Sequence, residues 1–226
     1  MSLNGYFVTG TDTGIGKTVL SCALIRALRE GGHTVTPRKP VESGCEVRDG
    51  QLFPADGTAL REAAGSPFPN LDRVTPYRFS HALAPDRAAR LVGASLNIEQ
   101  LRQACLADAD QDALLVVEGA GGFYSPLAED GLNADLAEAL GLPVVLVAPD
   151  RLGTMNHVLL TAEAIARRGL RLALVVLNEV ETEQPEGMDN RSDLARHLDC
   201  PILGFPRVKR TGDGWEILAG WLRDSA

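Results

Sequence analysis

The segment YFVTGTDTGIGKT, residues 6–18, constrains this chain more than any other. Tyr6 to Val8 reads as a strand, the glycines that follow as a turn, and Lys17 to Leu28 as a helix. Val19, Leu20, Ala23, Leu24, Ala27 and Leu28 fall along one stripe of that helix, and Gly31 with Gly32 stops it. A strand passing through such a turn into a helix gathers successive backbone N–H groups and the positive helix end at one point, which suits phosphate oxygens. Lys17 then reaches the terminal phosphates and the Thr18 hydroxyl a magnesium ion, so Gly10 to Thr18 predicts a bound nucleoside triphosphate with magnesium. One position departs from the strict pattern. Counting back from Gly16, glycine is expected where Thr11 stands, and Gly10 comes one residue early.

The rest of the chain alternates short apolar runs with helix-period stretches, the pattern of an α/β protein whose parallel sheet is covered by helices. Further strands are expected at Val35 to Arg38, Leu114 to Val117, Val144 to Ala148, Leu172 to Leu177 and Ile202 to Gly204. Helices are expected at Ile98 to Ala107, Ala134 to Leu140, His157 to Arg168, Asp189 to Leu198 and Trp215 to Arg223. From Glu42 to Asn97 glycine, proline and charge interrupt any single period, which predicts loops and short helices beside the site. Phe53, Leu60, Phe68, Tyr77 and Phe79 are interleaved there and need burial, so this stretch is no linker. No repeat appears, and residues 1–226 read as one domain.

A net charge of −8 gives no basic field for nucleic acid or an anionic membrane. No apolar run reaches membrane-spanning length and the start shows no leader pattern, so a cytoplasmic protein is expected. Cys22, Cys45, Cys105 and Cys200 lie far apart and should be reduced there. His33, His81, His157 and His197 have no partner at ligand spacing and read as surface or packing residues.

A triphosphate site needs a second magnesium-side carboxylate at a neighbouring strand end. ALLVVEGAGG ends its apolar run in Glu118, and Gly119, Gly121 and Gly122 let backbone approach a ligand closely. Asp56 opens the helix DGTALREAA, where it is either an N-cap or a ligand. In RKPVESG a lysine, Lys39, follows the second strand, at the sheet edge where open α/β sheets bind ligands. It is either a solvated side chain or a second cation for a transferring phosphoryl group, with the Ser43 hydroxyl aiding orientation. DRLGTMNH reads as a helix start capped by Thr154 or Asn156, either plain or able to hold a carboxylate.

Taken in order and with their spacing, YFVTGTDTGIGKT, KPVESG, VEGAGGFYSPL, LGTMNH and LNEV resemble the dethiobiotin synthetase family over nearly the whole chain, Thr11 included. The resemblance implies a three-layer P-loop NTPase fold, a mostly parallel sheet flanked by helices, and a homodimer. It implies ATP and Mg2+ as cofactors, with 7,8-diaminononanoate and CO2 as the other small-molecule substrates. Thr13, Gly14, Ile15, Gly16, Lys17, Thr18 and Val19 would hold the phosphates, and Glu118, Gly119, Ala120 and Gly121 would line the ATP site. Thr18, Asp56 and Glu118 would ligate magnesium, and Asn178, Glu179, Pro206, Arg207 and Val208 would border the adenine. Lys17 and Lys39 would be the catalytic cations, and Thr13 and Ser43 would contact the diamine. Gly153, Thr154 and Asn156 would hold the diamine's distant carboxylate from the partner subunit. The implied reaction is carboxylation and ring closure through a carbamate and a carbamic–phosphoric anhydride. Three places differ from the family pattern: Glu42 stands where a small residue is usual, Ala84-Pro85-Asp86 where Ser-Pro-His is usual, and the segment ILGFPRV is one residue shorter.

A P-loop switch ATPase of the partition or metal-delivery type would share the fold. That class needs an additional lysine early in the loop, where this chain has Thr11, Asp12 and Thr13, and it leaves RKPVESG unexplained. A GTPase would need a guanine motif where LNEV stands. A related amide-forming synthetase usually carries a glutaminase domain that 226 residues cannot hold.

Overall fold

Strands that are apolar at nearly every position must be covered on both faces. The computed structural model, which describes residues 3–67, 69–110, 112–180 and 184–224, shows how this is done. The chain begins β1 (Gly5–Gly10), α1 (Lys17–Glu30), β2 (Val35–Arg38), β3 (Val41–Ser43), β4 (Glu46–Arg48) and β5 (Gln51–Phe53). It continues α2 (Ala55–Ala63), α3 (Leu71–Val74), β6 (Tyr77–Phe79), α4 (Pro85–Leu91) and α5 (Ile98–Leu106). Then come β7 (Leu114–Glu118), β8 (Pro126–Ala128), β9 (Gly131–Leu132), α6 (Asn133–Leu140), β10 (Val144–Pro149) and α7 (Thr154–Arg167). The last elements are β11 (Leu172–Asn178), α8 (Asn190–Leu194), β12 (Ile202–Phe205) and α9 (Trp215–Asp224).

Six strands form one sheet in the order β12-β11-β10-β1-β7-β2, every neighbouring pair parallel. The pleat divides their side chains between two cores. Phe7, Leu115, Val117, Leu146, Val175 and Leu177 pack on the face that holds Leu101, Leu136 and Ile165 from α5, α6 and α7. Val8, Val116, Val145, Val147, Leu174 and Val176 pack on the other, with Leu24, Leu60 and Trp221 from α1, α2 and α9. The expected α/β arrangement is therefore a helix–sheet–helix sandwich. Because β7 lies between β1 and β2, the chain leaves β1 and returns one strand farther out, opening a crevice at the carboxyl ends.

Several expectations need correction. The region from Glu42 to Asn97 holds short strands as well as loops and helices, since β3 pairs with β6 and β4 with β5. Leu60 and Phe79 are buried there, Phe53 and Tyr77 partly so, and Phe68 lies outside the described residues. The helix expected over Asp189 to Leu198 is confined to Asn190–Leu194, with Asp189 as its cap. Beyond Leu194 the N–H groups of Arg196 and His197 bond three residues back, to Asp193 and Leu194, so the helix tightens and ends. All four histidines are exposed. No described helix is long and apolar enough to cross a membrane.

Arg38, the last residue of β2, is buried and binds the carboxyl end of α5. Its Nε donates to the Cys105 carbonyl at 3.1 Å and its Nη2 to that of Ala107 at 2.6 Å. A cation there meets the negative end of a helix. Arg38→Ala leaves those carbonyls without a partner and should lower the unfolding free energy by about 2–4 kcal/mol, read as a lower denaturant midpoint at unchanged slope. An unshifted midpoint would mean that water replaces the guanidinium.

Candidate active site

The glycine turn works as a cradle because its backbone is left open. Gly14 and Gly16 have φ of 73° and 95°, values that glycine adopts without strain. Gly16 caps α1 with no side-chain bond, so the first-turn N–H groups face outward. A Cβ on Gly16 would also lie 2.1 Å from Asn178 Nδ2, which donates to the Ile15 carbonyl at 2.9 Å and ties the turn to the end of β11. The departing residue, Thr11, donates its N–H to the Val147 carbonyl at 3.0 Å, prolonging the pairing of β1 with β10. Lys17 is buried and folded back on the turn, its Nζ donating to the Asp12 carbonyl at 2.7 Å. Burial and the nearby Lys39 cation bring its pKa down to about 8.

The second half of the site follows from strand register. Arg38 pairs with Val117, so the next residues, Lys39 and Glu118, leave adjacent strands side by side. Lys39 is 3% exposed and Glu118 1%. Lys39 Nζ stands 2.6 Å from Glu118 Oε1, 3.1 Å from the Gly119 carbonyl and 3.1 Å from Asp56 Oδ2. Burial alone would lower the Lys39 pKa, but the Glu118 and Asp56 charges outweigh it and hold the ammonium above the ordinary lysine value. Asp56, raised by burial, is brought below the usual carboxylate range by Lys39. Lys39 is thus a buried, paired cation, not a solvated one.

The same carboxylates fit a magnesium ion. The Thr18 hydroxyl donates to Glu118 Oε1 at 3.0 Å, while Glu118 Oε2 is buried with no hydrogen-bond partner. An orphaned carboxylate oxygen beside a hydroxyl and a second carboxylate is the donor chemistry that magnesium takes, with phosphates and water completing its shell. Among the described residues no group of three or more His, Cys, Asp or Glu could hold a metal by itself.

Asp56 does not cap its helix. The residue before α2 is Pro54, which offers no capping side chain, and the carboxylate of Glu42 does the work from fourteen residues away. Its Oε1 accepts from Asp56 N at 3.0 Å and its Oε2 from Gly57 N at 2.9 Å. Sequence reasoning missed this because neither spacing nor period marks a long-range cap. Asn133 was missed for the same reason. It is wholly buried, accepts from Ala120 N at 3.0 Å and donates to the carbonyls of Ala120 and Gly122, the latter at 3.1 Å. Ser125 adds a bond from Gly122 N to its Oγ at 2.8 Å.

The pinned turn Gly119–Gly122 lies against the glycine cradle, with Phe123 N donating to the Gly10 carbonyl at 3.0 Å. Between them and β3 opens a cleft of about 340 Å³ that brings together Thr13, Ser43, Ala120 and Gly121, with Leu83 and Pro85 on its far wall. Ser43 Oγ donates to the Leu83 carbonyl at 2.6 Å, and Thr13 N to Asp12 Oδ1 at 2.7 Å. Two larger clefts, about 650 and 720 Å³, sit at the opposite edge by the starts of β11 and β1 and contain none of these residues.

Glu179 N donates to the Phe205 carbonyl at 2.9 Å, so Asn178 and Glu179 stand beside the exposed Pro206 and Arg207 and the half-buried Val208. Val19 is half-buried one residue beyond Thr18. Gly153, Thr154 and Asn156 do not line the cleft. Their helix also starts earlier than expected, and neither side chain caps it. Gly153, at φ 90°, is the cap, Thr154 Oγ1 donates back to the Pro149 carbonyl at 2.6 Å, and Asn156 is exposed.

A family model described as an AAA domain matches residues 4–209. The chain is 45% identical over 195 residues to the ATP-dependent dethiobiotin synthetase BioD of Anaeromyxobacter dehalogenans, covering 86% of this chain and 85% of that one. It is 44% identical over 204 residues to the protein of the same name from Xanthomonas campestris pv. campestris, with 90% and 91% covered. The Rhodopirellula baltica counterpart is 40% identical over 215 residues, with 89% and 83% covered. A solved structure of the MinC:MinD cell division protein complex from Aquifex aeolicus superposes with a TM-score of 0.56 at 16% identity, over 98% of this chain and 95% of that one, a likeness of fold alone. Identity at that level spans more than four-fifths of relatives that share one name, and the chain belongs to the ATP-dependent dethiobiotin synthetases.

Proposed function

We propose that this site converts 7,8-diaminononanoate, CO2 and ATP to dethiobiotin, ADP and phosphate, a ligase reaction of biotin biosynthesis in the cytoplasm. The observation that carries the reading is Lys39, a second buried cation set beside the Thr18–Glu118 pair at the mouth of a phosphate cradle.

One amine of the substrate takes up CO2 and releases a proton, giving a carbamate. A carbamate oxygen attacks the γ-phosphorus, the new P–O bond forming as the bond to the bridging oxygen breaks, and ADP leaves. The second amine, held on the same molecule, attacks the carbonyl carbon of the carbamic–phosphoric anhydride. The C–N bond forms, phosphate leaves with the C–O electron pair, and the amine proton passes to phosphate or solvent. No side-chain nucleophile is required, so the protein acts by placement and charge.

The amides from Thr13 to Val19 hold the phosphates, and Lys17 and Lys39 place positive charge on the oxygens of the transferring group. Thr18, Asp56 and Glu118 would hold magnesium, whose chemistry here is neutralisation of phosphate charge. The pinned turn from Gly119 to Gly121 borders the ATP, and Asn178, Glu179 and the segment Pro206 to Val208 border its adenine. Thr13 and Ser43 face the diamine in the 340 Å³ cleft. In a homodimer the distant carboxylate is held by Gly153, Thr154 and Asn156 of the partner subunit. Leu152 is 78% exposed just before that helix start, and Leu160 at 59% and Tyr124 at 50% line one cleft farther along the same helix, which supports an apolar contact between copies.

Purified protein should release phosphate from ATP only when diaminononanoate and bicarbonate are both present, with the cyclic urea visible by mass spectrometry. Phosphate release that ignores the diamine would favour a switch ATPase. Lys39→Ala should cut turnover by about a hundredfold or more while ATP affinity changes little. A large loss of ATP binding in a folded variant would remove Lys39 from its assigned role. Analytical ultracentrifugation should give a dimer, and a monomer with full turnover would rule out a shared site.

A further inference from the structure

The carboxylate of Glu42 is 6% exposed and faces the first turn of α2, where each oxygen accepts one backbone N–H. An ordinary cap residue beside Pro54 would satisfy that turn locally. Glu42 instead binds it to β3, three residues after Lys39 and paired with β6 through Arg78. The distance from the Lys39 cation to the Asp56 carboxylate is therefore set through a short, hydrogen-bonded path. Thr75 also packs closely on this turn, since a Cβ on Gly57 would fall 2.0 Å from its Oγ1. The Asp56 side chain is itself 40% exposed, so its place depends on how its backbone is held.

We propose that Glu42 is a positioning residue for the metal site: its two bonds to the Asp56 and Gly57 amides hold the Asp56 carboxylate where it meets Lys39 and magnesium. The proposal rests on the reading of Asp56 as a magnesium ligand. Glu42 acts on that ligand from behind, as partners of metal ligands do elsewhere. Its two hydrogen bonds go to the backbone amides of Asp56 and Gly57, so its effect on magnesium binding should pass through the placement of Asp56.

The test is a magnesium titration of the binding of a fluorescent ATP analogue, with the melting temperature measured in the absence of metal and nucleotide. Glu42→Ala should raise the half-saturating magnesium concentration about tenfold or more, while analogue binding in EDTA changes less than about twofold. Asp56→Asn should raise it as well, and the double variant should be no worse than Asp56→Asn alone. A lower melting temperature with unaltered magnesium dependence in Glu42→Ala, or independent, multiplying effects in the double variant, would overturn the proposal. If Asp56→Asn leaves the magnesium dependence unaltered, the ligand reading itself fails and the proposal with it. Should Glu42→Ala not fold, Glu42→Gln keeps the volume and one acceptor oxygen, and a smaller shift in the same direction is expected. No shift in that variant would count against Glu42.

Discussion

The ion pair between Lys39 and Glu118, sealed from water at 2.6 Å, is the interaction on which the site depends. An isolated ammonium or carboxylate in such a place would cost several kcal/mol, so each must be held by more than the other. Glu118 Oε1 accepts the Thr18 hydroxyl as well as Lys39, and Lys39 spreads its remaining protons over the Gly119 carbonyl and Asp56. A helix, two parallel strands and a second helix thus meet in one set of polar contacts. Their mutual placement leaves Glu118 Oε2 buried without a hydrogen-bond partner.

Around this pair the turns are rigid for a common reason. Backbone groups that leave a sheet edge lose their ladder partners and need others. Asn133 serves the turn after β7, Asn178 serves the one after β1, and Glu42 the start of α2. Each is an amide or carboxylate reaching from another element. Asn133 and Glu42 thereby shape the site through the backbone they hold.

What the sequence showed, and what it hid, divides along this line. Glycines, Lys17 and Thr18 lie within one short segment, and Glu118 ends an uninterrupted apolar run, so both were legible from neighbours alone. The inner strands β1, β7, β10 and β11 were legible because burial on both faces leaves them apolar at most positions. The three-residue strands β3 to β6 carry too few residues for any period to show. Thr154 and Asn156 looked like caps because their chemistry suits capping, yet Gly153 in a left-handed turn starts the helix. Glu42 and Asn133 carry no local signal, as their partners come from fourteen and thirteen residues away.

Arg38 and Lys39 are consecutive buried cations that the pleat sends in opposite directions. The guanidinium crosses to α5, whose Cys105 belongs to one core, and the ammonium to α2, whose Leu60 belongs to the other. A slip of β2 by a single residue would exchange them, pushing a planar fork into the phosphate mouth and stranding a lysine beneath a helix end. The two adjoining charges thus act as a key for alignment. A mispaired edge strand would be rejected by electrostatics on both sides of the sheet at once.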